Sequence, residues 1–470
     1  MPALEGLASR LQALEDRARG AARIRLIEDV VAPGETPALV TDRISGIALR
    51  PHAPLWWWAC LAVAVSLLGL GAVALAWLFA QGIAVFGNDW PVAWGFPIIN
   101  YVWWIAIASG GTFVSALFFL TRSEWRTSIN RIAETMMVCA AAPAGLYPIL
   151  HLGRPWFAYW LFPYPNTMQL WPQFRSPLVW DFFALLTYVV SSVLFWYLGL
   201  IPDLASVRDR ATTRFKQVFY GVLALGFRGS GRQWRHFRAT YGVMAAIMAP
   251  VVVSIHSIVG LDFAGGQSPG WHSTEFPPFF VFGALLSGLA MVVLLLIPLR
   301  ILFRLGMYIT ARHFDVLGKL LLCASLAIGY AYIMDAFSTF YGPDEAERTM
   351  FIERVSGIYW YVYWSTILFN LLLPQLLWFR RIRLNQAAMV LICLAIIVGM
   401  WFERYEIVVT SLHRPRLPSA WGNYAPTFWD WALFAGTFGL FLTLFLVAIR
   451  LLPVMSMAEM RQSLAKGGAA

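Results

Sequence analysis

Apolar stretches of about twenty residues recur along almost the whole chain, with short polar, arginine-bearing segments between them. A helix that crosses a bilayer needs about 20 mostly apolar residues. Ten stretches meet or approach that length: 55–80, 98–121, 132–150, 178–201, 241–261, 279–299, 316–337, 358–379, 387–401 and 428–448. The ninth is short and is expected to run further. The pattern predicts an all-α integral membrane protein with ten transmembrane helices across 55–453. An extension at 1–54, partly helical around 4–27, precedes them, and a tail at 454–470 follows. The first 50 residues carry mixed charges and no early apolar core, unlike a secretory signal.

The pattern also repeats. The second stretch carries Ser109-Gly110, with Arg122 thirteen residues after the serine; the sixth carries Ser287-Gly288, with Arg300 at the same distance. The third contains CAAAPAGLYPILH from Cys139 and the seventh CASLAIGYAYIMD from Cys323. Aligned, these put Gly145 opposite Gly329 and His151 opposite Asp335. Trp180 and Trp360 hold comparable places in the fourth and eighth. Two four-helix bundles of like orientation, helices 2–5 and 6–9, are therefore expected, flanked by helices 1 and 10. Parallel repeats of this kind often hold a site where the units meet.

Composition agrees with the pattern. Of 470 residues, 59% are hydrophobic and 13% charged, against about 25% charged in a soluble domain; mean hydropathy is +0.65. The net charge of +10 need not imply nucleic acid, because cytoplasmic loops of membrane proteins are rich in Lys and Arg. With both termini placed in the cytoplasm, the inner segments hold 28 Lys and Arg and the outer segments seven. That bias puts the loop 263–278 on the outer, periplasmic side of a bacterial inner membrane. Four cysteines, Cys60, Cys139, Cys323 and Cys393, lie within apolar stretches and form no CxxC or CxxCH pattern. No metal site, iron–sulfur ligation or haem attachment is expected on this chain.

The chemistry concentrates at the outer ends. HSIVGLDFAGGQSPGWHSTEFPPFF brings His256 and Asp262 to the end of the fifth stretch. They are six residues apart, roughly 240° around a helix, so they do not share a face. His151 and Arg154 close the third stretch, and Asp181 lies about one turn into the fourth. Asp335 ends the seventh, and Glu403, Arg404 and Glu406 end the ninth. Ionisable groups inside a membrane are costly unless paired or used. Glu134, near the inner end of the third stretch, precedes His151 by seventeen residues, roughly 25 Å of helix. That helix thus carries an ionisable group near each membrane face: either part of a proton path or a partner for Arg122, Arg126 or Arg131. Oxidation of a quinol needs a histidine or arginine to hold a ring oxygen and a carboxylate to take a proton. A proton-coupled transporter would use the same groups. A di-haem cytochrome b would need histidine pairs inside the spans, and His151 and His256 both lie at one side.

HLGRPWFAYWLFPYPNTMQLWPQFRSPLVWDFFA and HSIVGLDFAGGQSPGWHSTEFPPFFVFGALLSGLAMV resemble the NrfD/PsrC family of quinone-interacting membrane subunits, those of bacterial alternative complex III above all. The resemblance covers essentially the whole chain. It implies two four-helix bundles with a flanking helix on each side, and menaquinol or ubiquinol as substrate near the outer face. It implies that this chain itself binds no haem or cluster. Implied partners are a periplasmic iron–sulfur subunit, other membrane subunits including a homologous NrfD-like one, a multihaem cytochrome c, and lipids. Carried over by motif, Asp181 and Asp262 would be catalytic, and His151, Asp181, Asp262 and Arg404 would bind the quinone. Glu134, Asp335 and His256 remain for a proton path.

Overall fold

In the computed structural model the described residues are 31, 34–161 and 175–468; the helix expected around 4–27 lies outside them. All the regular elements among the described residues are helical. They are α1 (Pro37–Leu49), α2 (Leu55–Gln81), α3 (Phe96–Leu120), α4 (Asn130–Leu150), α5 (Pro177–Arg210), α6 (Arg214–Leu223) and α7 (Gly231–Ala264). They continue with α8 (Phe276–Leu302), α9 (Ala311–Tyr341), α10 (Glu345–Ser356), α11 (Trp360–Ile367), α12 (Gln386–Thr410), α13 (Phe428–Leu451) and α14 (Met457–Gly468). Among the described residues nine helices are long and apolar enough to cross a membrane. The chain is thus a multi-pass integral membrane protein.

The eighth expected span is built differently. After α11 the chain passes through a π turn at Leu368–Leu372 and a 3₁₀ segment at Leu373–Trp378. Pro374 lies at the start of the 3₁₀ segment; its ring and missing N–H do not fit a continuing α-helix. Spans five and nine are longer than their apolar cores. α7 begins ten residues before Tyr241, on a capping box in which Ser230 and Gln233 exchange bonds. α12 runs on through a π turn at Glu406–Thr410, so the ninth span does extend as expected.

The two units form as the repeat requires. α3, α4, α5 and α7 pack together, and α8, α9, α11 and α12 make the second group. α8 is central: it packs on α3 and α7 of the first unit and on α9 and α12 of its own. Gly110 and Gly288, aligned by the repeat, touch at the crossing of α3 and α8. The flanking helices α2 and α13 pack mainly on each other, with Gly71 against Gly436. Small residues at such crossings let backbones approach where lipid gives no hydrophobic drive.

The expected C-terminal tail is a docked helix. Asp203 Oδ1 accepts from Ala458 N at 2.8 Å, at the first turn of α14. Glu459 Oε2 accepts from Arg126 Nη2 at 2.8 Å and from Asn130 Nδ2 at 3.1 Å. α14 therefore closes over the same end of the first unit that holds Glu134.

Candidate functional site

Four helix ends of the first unit surround a cavity of about 210 Å³. α3 contributes Ile98, Tyr101 and Val102, and the end of α4 contributes Pro148 and His151. The first turns of α5 contribute Leu178, Asp181 and Phe182, and α7 contributes Asp262 and Phe263; Trp94 closes one side. Three of the four residues expected to hold a quinol, His151, Asp181 and Asp262, thus line one chamber. An engineered apolar cavity of roughly 150 Å³ accepts a benzene ring, so this one has room for a substituted six-membered ring. Its lining is mostly apolar, with two carboxylates, an imidazole and a phenol.

Asp181 is buried and its partner is Tyr101. The phenol lies 2.8 Å from Oδ1 and 2.7 Å from Oδ2, its single proton donated between them. Asp262 is half-buried, and its Oδ1 has no hydrogen-bond partner. His151 caps α4 with Nδ1 3.3 Å from the Tyr147 carbonyl oxygen. A carbonyl only accepts, so Nδ1 carries the proton and Nε2 is the acceptor of the ring. Burial holds the imidazole below its ordinary value of 6.5. It is therefore neutral at pH 7.

Arg404 does not line the cavity. It sits fully buried behind the aromatic wall, with its guanidinium carbon 4.2 Å from the Phe280 ring centre. Phe280 stacks at 5.5 Å on Phe263, which does line the cavity. Arg404 Nη1 lies 2.9 Å from Glu403 Oε1, an ion pair whose angle gives no directed hydrogen bond. His256, buried on α7, is not among the residues lining the cavity with Asp262, and its Nε2 has no hydrogen-bond partner.

A second, smaller cavity of about 40 Å³ lies in the second unit. Glu275, Tyr332, Asp335, Arg354, Glu403 and Glu406 line it, with Phe276 and Phe279. In the repeat, Phe276 stands for Ile98, Phe279 for Tyr101, Tyr332 for Pro148 and Asp335 for His151. It is the counterpart of the first cavity, reduced to room for water and relined with acids. Arg354 Nη1 reaches Asp335 Oδ2 at 3.4 Å, and the Tyr332 hydroxyl donates to Glu403 Oε2. Asp335 also lines a wider vestibule of about 630 Å³ with Asp344 and Glu347.

Glu134 is far from both. Arg131 Nη1 lies 2.5 Å from its Oε2, and Tyr241 donates to its Oε1 at 2.7 Å. Arg131 Nη2 also reaches Asp203 Oδ2 at 3.1 Å. The ion pair with Arg131 expected as one alternative is present. The partners of Glu134 and of Asp335 do not overlap. Among the described residues no group of three or more His, Cys, Asp or Glu is arranged to hold a metal ion.

Reasoning from the sequence missed Tyr101 and Glu275. One signal pointed toward Tyr101: a carboxylate inside an apolar run must find a donor. Nothing in the sequence says which helix supplies it. Glu275 stands in the polar stretch that begins at His256, but Asp335, Arg354 and Glu403 around it come from distant parts of the chain.

Comparison with known proteins bears on the whole region. The family model described as "Polysulphide reductase, NrfD" matches residues 84–415, which contain both cavities. The chain is 22% identical over 410 residues to the C subunit of a selenate reductase of Mesobacillus selenatarsenatis, covering 82% of this chain and 91% of that protein. It is 23% identical over 421 residues to the "Hdr-like menaquinol oxidoreductase integral membrane subunit" of Archaeoglobus fulgidus, covering 84% and 93%.

Proposed function

This chain belongs to the NrfD family of oxidoreductase membrane subunits, and on that premise we propose that its first cavity binds and oxidises a quinol. The observation that carries the reading is that His151, Asp181 and Asp262, chosen from three separate helix ends, line one ring-sized chamber. The Archaeoglobus fulgidus relative is named for menaquinol, which supports the same substrate class, menaquinol or ubiquinol. Both relatives are named as oxidoreductase subunits, which favours this reading over a transporter.

The residues divide the work. Neutral His151 accepts a hydrogen bond from one quinol hydroxyl through Nε2. Tyr101 locks Asp181 at the other side of the ring. Asp262, with an oxygen free of partners, takes a proton as the second hydroxyl is oxidised. Quinol becomes quinone, one proton passing to Asp262 and the other to Asp181, and two electrons leave. The electrons would pass to a partner on the same face. The full proposal is an NrfD-like quinol-oxidising subunit of an alternative complex III in a bacterial cytoplasmic membrane, both termini inside. Its partners would be a periplasmic iron–sulfur protein, a second NrfD-like subunit and a multihaem cytochrome c.

Asp335 and the acids of the second cavity would pass protons to the wider vestibule, Arg404 and His256 would couple the units, and Glu134 would serve the opposite face. Labelling with an azidoquinone tests the binding site. Adducts should fall on the peptides carrying residues 94–102, 148–152, 178–182 and 262–263. Adducts confined to other peptides would refute the assignment.

A further inference from the structure

The segment 211–240 contains six basic residues and no acidic one. It joins α5 to α7 at the side where α1 and α14 lie. Within it α6 is amphipathic, and its apolar face is turned away from the protein. Phe215 is 79% exposed and Val222 67%, with Val218 and Phe219 between them on the same stripe. The opposite face holds the helix in place. Lys216 Nζ donates to the Leu49 carbonyl at 2.9 Å, and Tyr220 Oη donates to the Leu451 carbonyl at 2.9 Å. α6 is therefore fixed by its polar side against the ends of α1 and α13, and its oily side is presented outward.

Arg214 opens α6, and Arg228, Arg232, Arg235 and Arg238 follow it in the chain. All five are exposed, and among the described residues none makes an ion pair. An apolar stripe with basic residues beside it, placed where spanning helices end, has the chemistry of a helix lying in the headgroup layer. Apolar side chains enter the acyl boundary while arginines meet phosphates. A polypeptide partner would have to offer an apolar groove rimmed by acids; a leaflet of anionic phospholipid offers both features without a dedicated surface. We infer that α6 and the first turns of α7 form an anionic-phospholipid binding surface, anchoring this end of the first unit in one leaflet.

Photo-crosslinking in native membranes tests this on the protein as assembled. The substitution Val218→p-benzoylphenylalanine places the probe on the outward stripe, and the same probe at Val190, half exposed on α5, is the lipid-facing control. The expected adduct at 218 has the mass of a phospholipid, with anionic headgroups enriched over the bulk membrane. Combining it with Arg232→Gln, Arg235→Gln and Arg238→Gln should lower that enrichment about tenfold or more at low salt. A polypeptide adduct at 218, lipid adducts with bulk headgroup composition, or no lipid adduct at 218 when Val190 gives one, would each overturn the inference.

Discussion

Gly110 and Gly288 lie Cα against Cα where α3 crosses α8: a Cβ on either would stand 2.1 Å from the Cα of the other. Residues aligned by an internal repeat touch each other when they lie on the pseudo-symmetry axis relating the two units. The hydroxyls beside them agree, with Ser109 bonding back to Ile105 O and Ser287 to Gly283 O.

That contact leaves no room for a side chain, and the obstacle is backbone. Overpacking costs about 1–3 kcal/mol where side chains can shift; here they cannot relieve it. Gly288→Val is expected to lower the thermal midpoint of the solubilised chain strongly. Gly69→Val, on α2 with open space around it, should change it little. Equal midpoints would refute the close crossing.

The Arg131 cluster predicts a non-additive pair. Either Glu134 or Asp203 alone still neutralises Arg131. Glu134→Gln or Asp203→Asn should therefore cost less than leaving the arginine bare. Together they strand a buried cation, which is strongly destabilising. The double variant should lose more than the two singles combined, by about 0.5–3 kcal/mol in a thermal cycle. Additive losses would mean that the carboxylates do not share Arg131.

Glu275 gives a pH dependence. Burial, and then the charge of Asp335, push its carboxyl up from 4.5 to about 7. A raised acid binds more protons folded than unfolded between those values, so folded stability falls as pH rises from about 4.5 to about 7. Glu275→Gln should flatten that part of the curve. Melting profiles of both proteins at pH 5 and pH 8 check it; an unchanged slope would place Glu275 in open water.

Much of this was legible because membranes make polar residues expensive. Asp181, Asp262 and His151 stood out against apolar sequence, and the serine–glycine pairs marked the repeat. The partners were not legible. Tyr101 is one of seventeen tyrosines in the chain, and only the packing of α3 on the first unit brings it to Asp181. Arg404 was expected with the carboxylates of the first cavity, but Phe263 and Phe280 stand between. The eighth span reads as an ordinary apolar helix, and only the run from Asn370 past Pro374 hints at its break. The docking of α14 depends on Asp203, which no local pattern connects to Ala458.

The central claim is that Asp181 and Asp262 serve quinol oxidation in one cavity. Quinol-oxidation kinetics of the assembled complex carrying Asp181→Asn or Asp262→Asn test it most directly, with assembly verified for each. These changes keep shape but remove a proton acceptor, and loss of such help typically lowers rate by roughly 10² to 10⁴. The account predicts losses in that range with the complex intact. Wild-type turnover in both variants would contradict it.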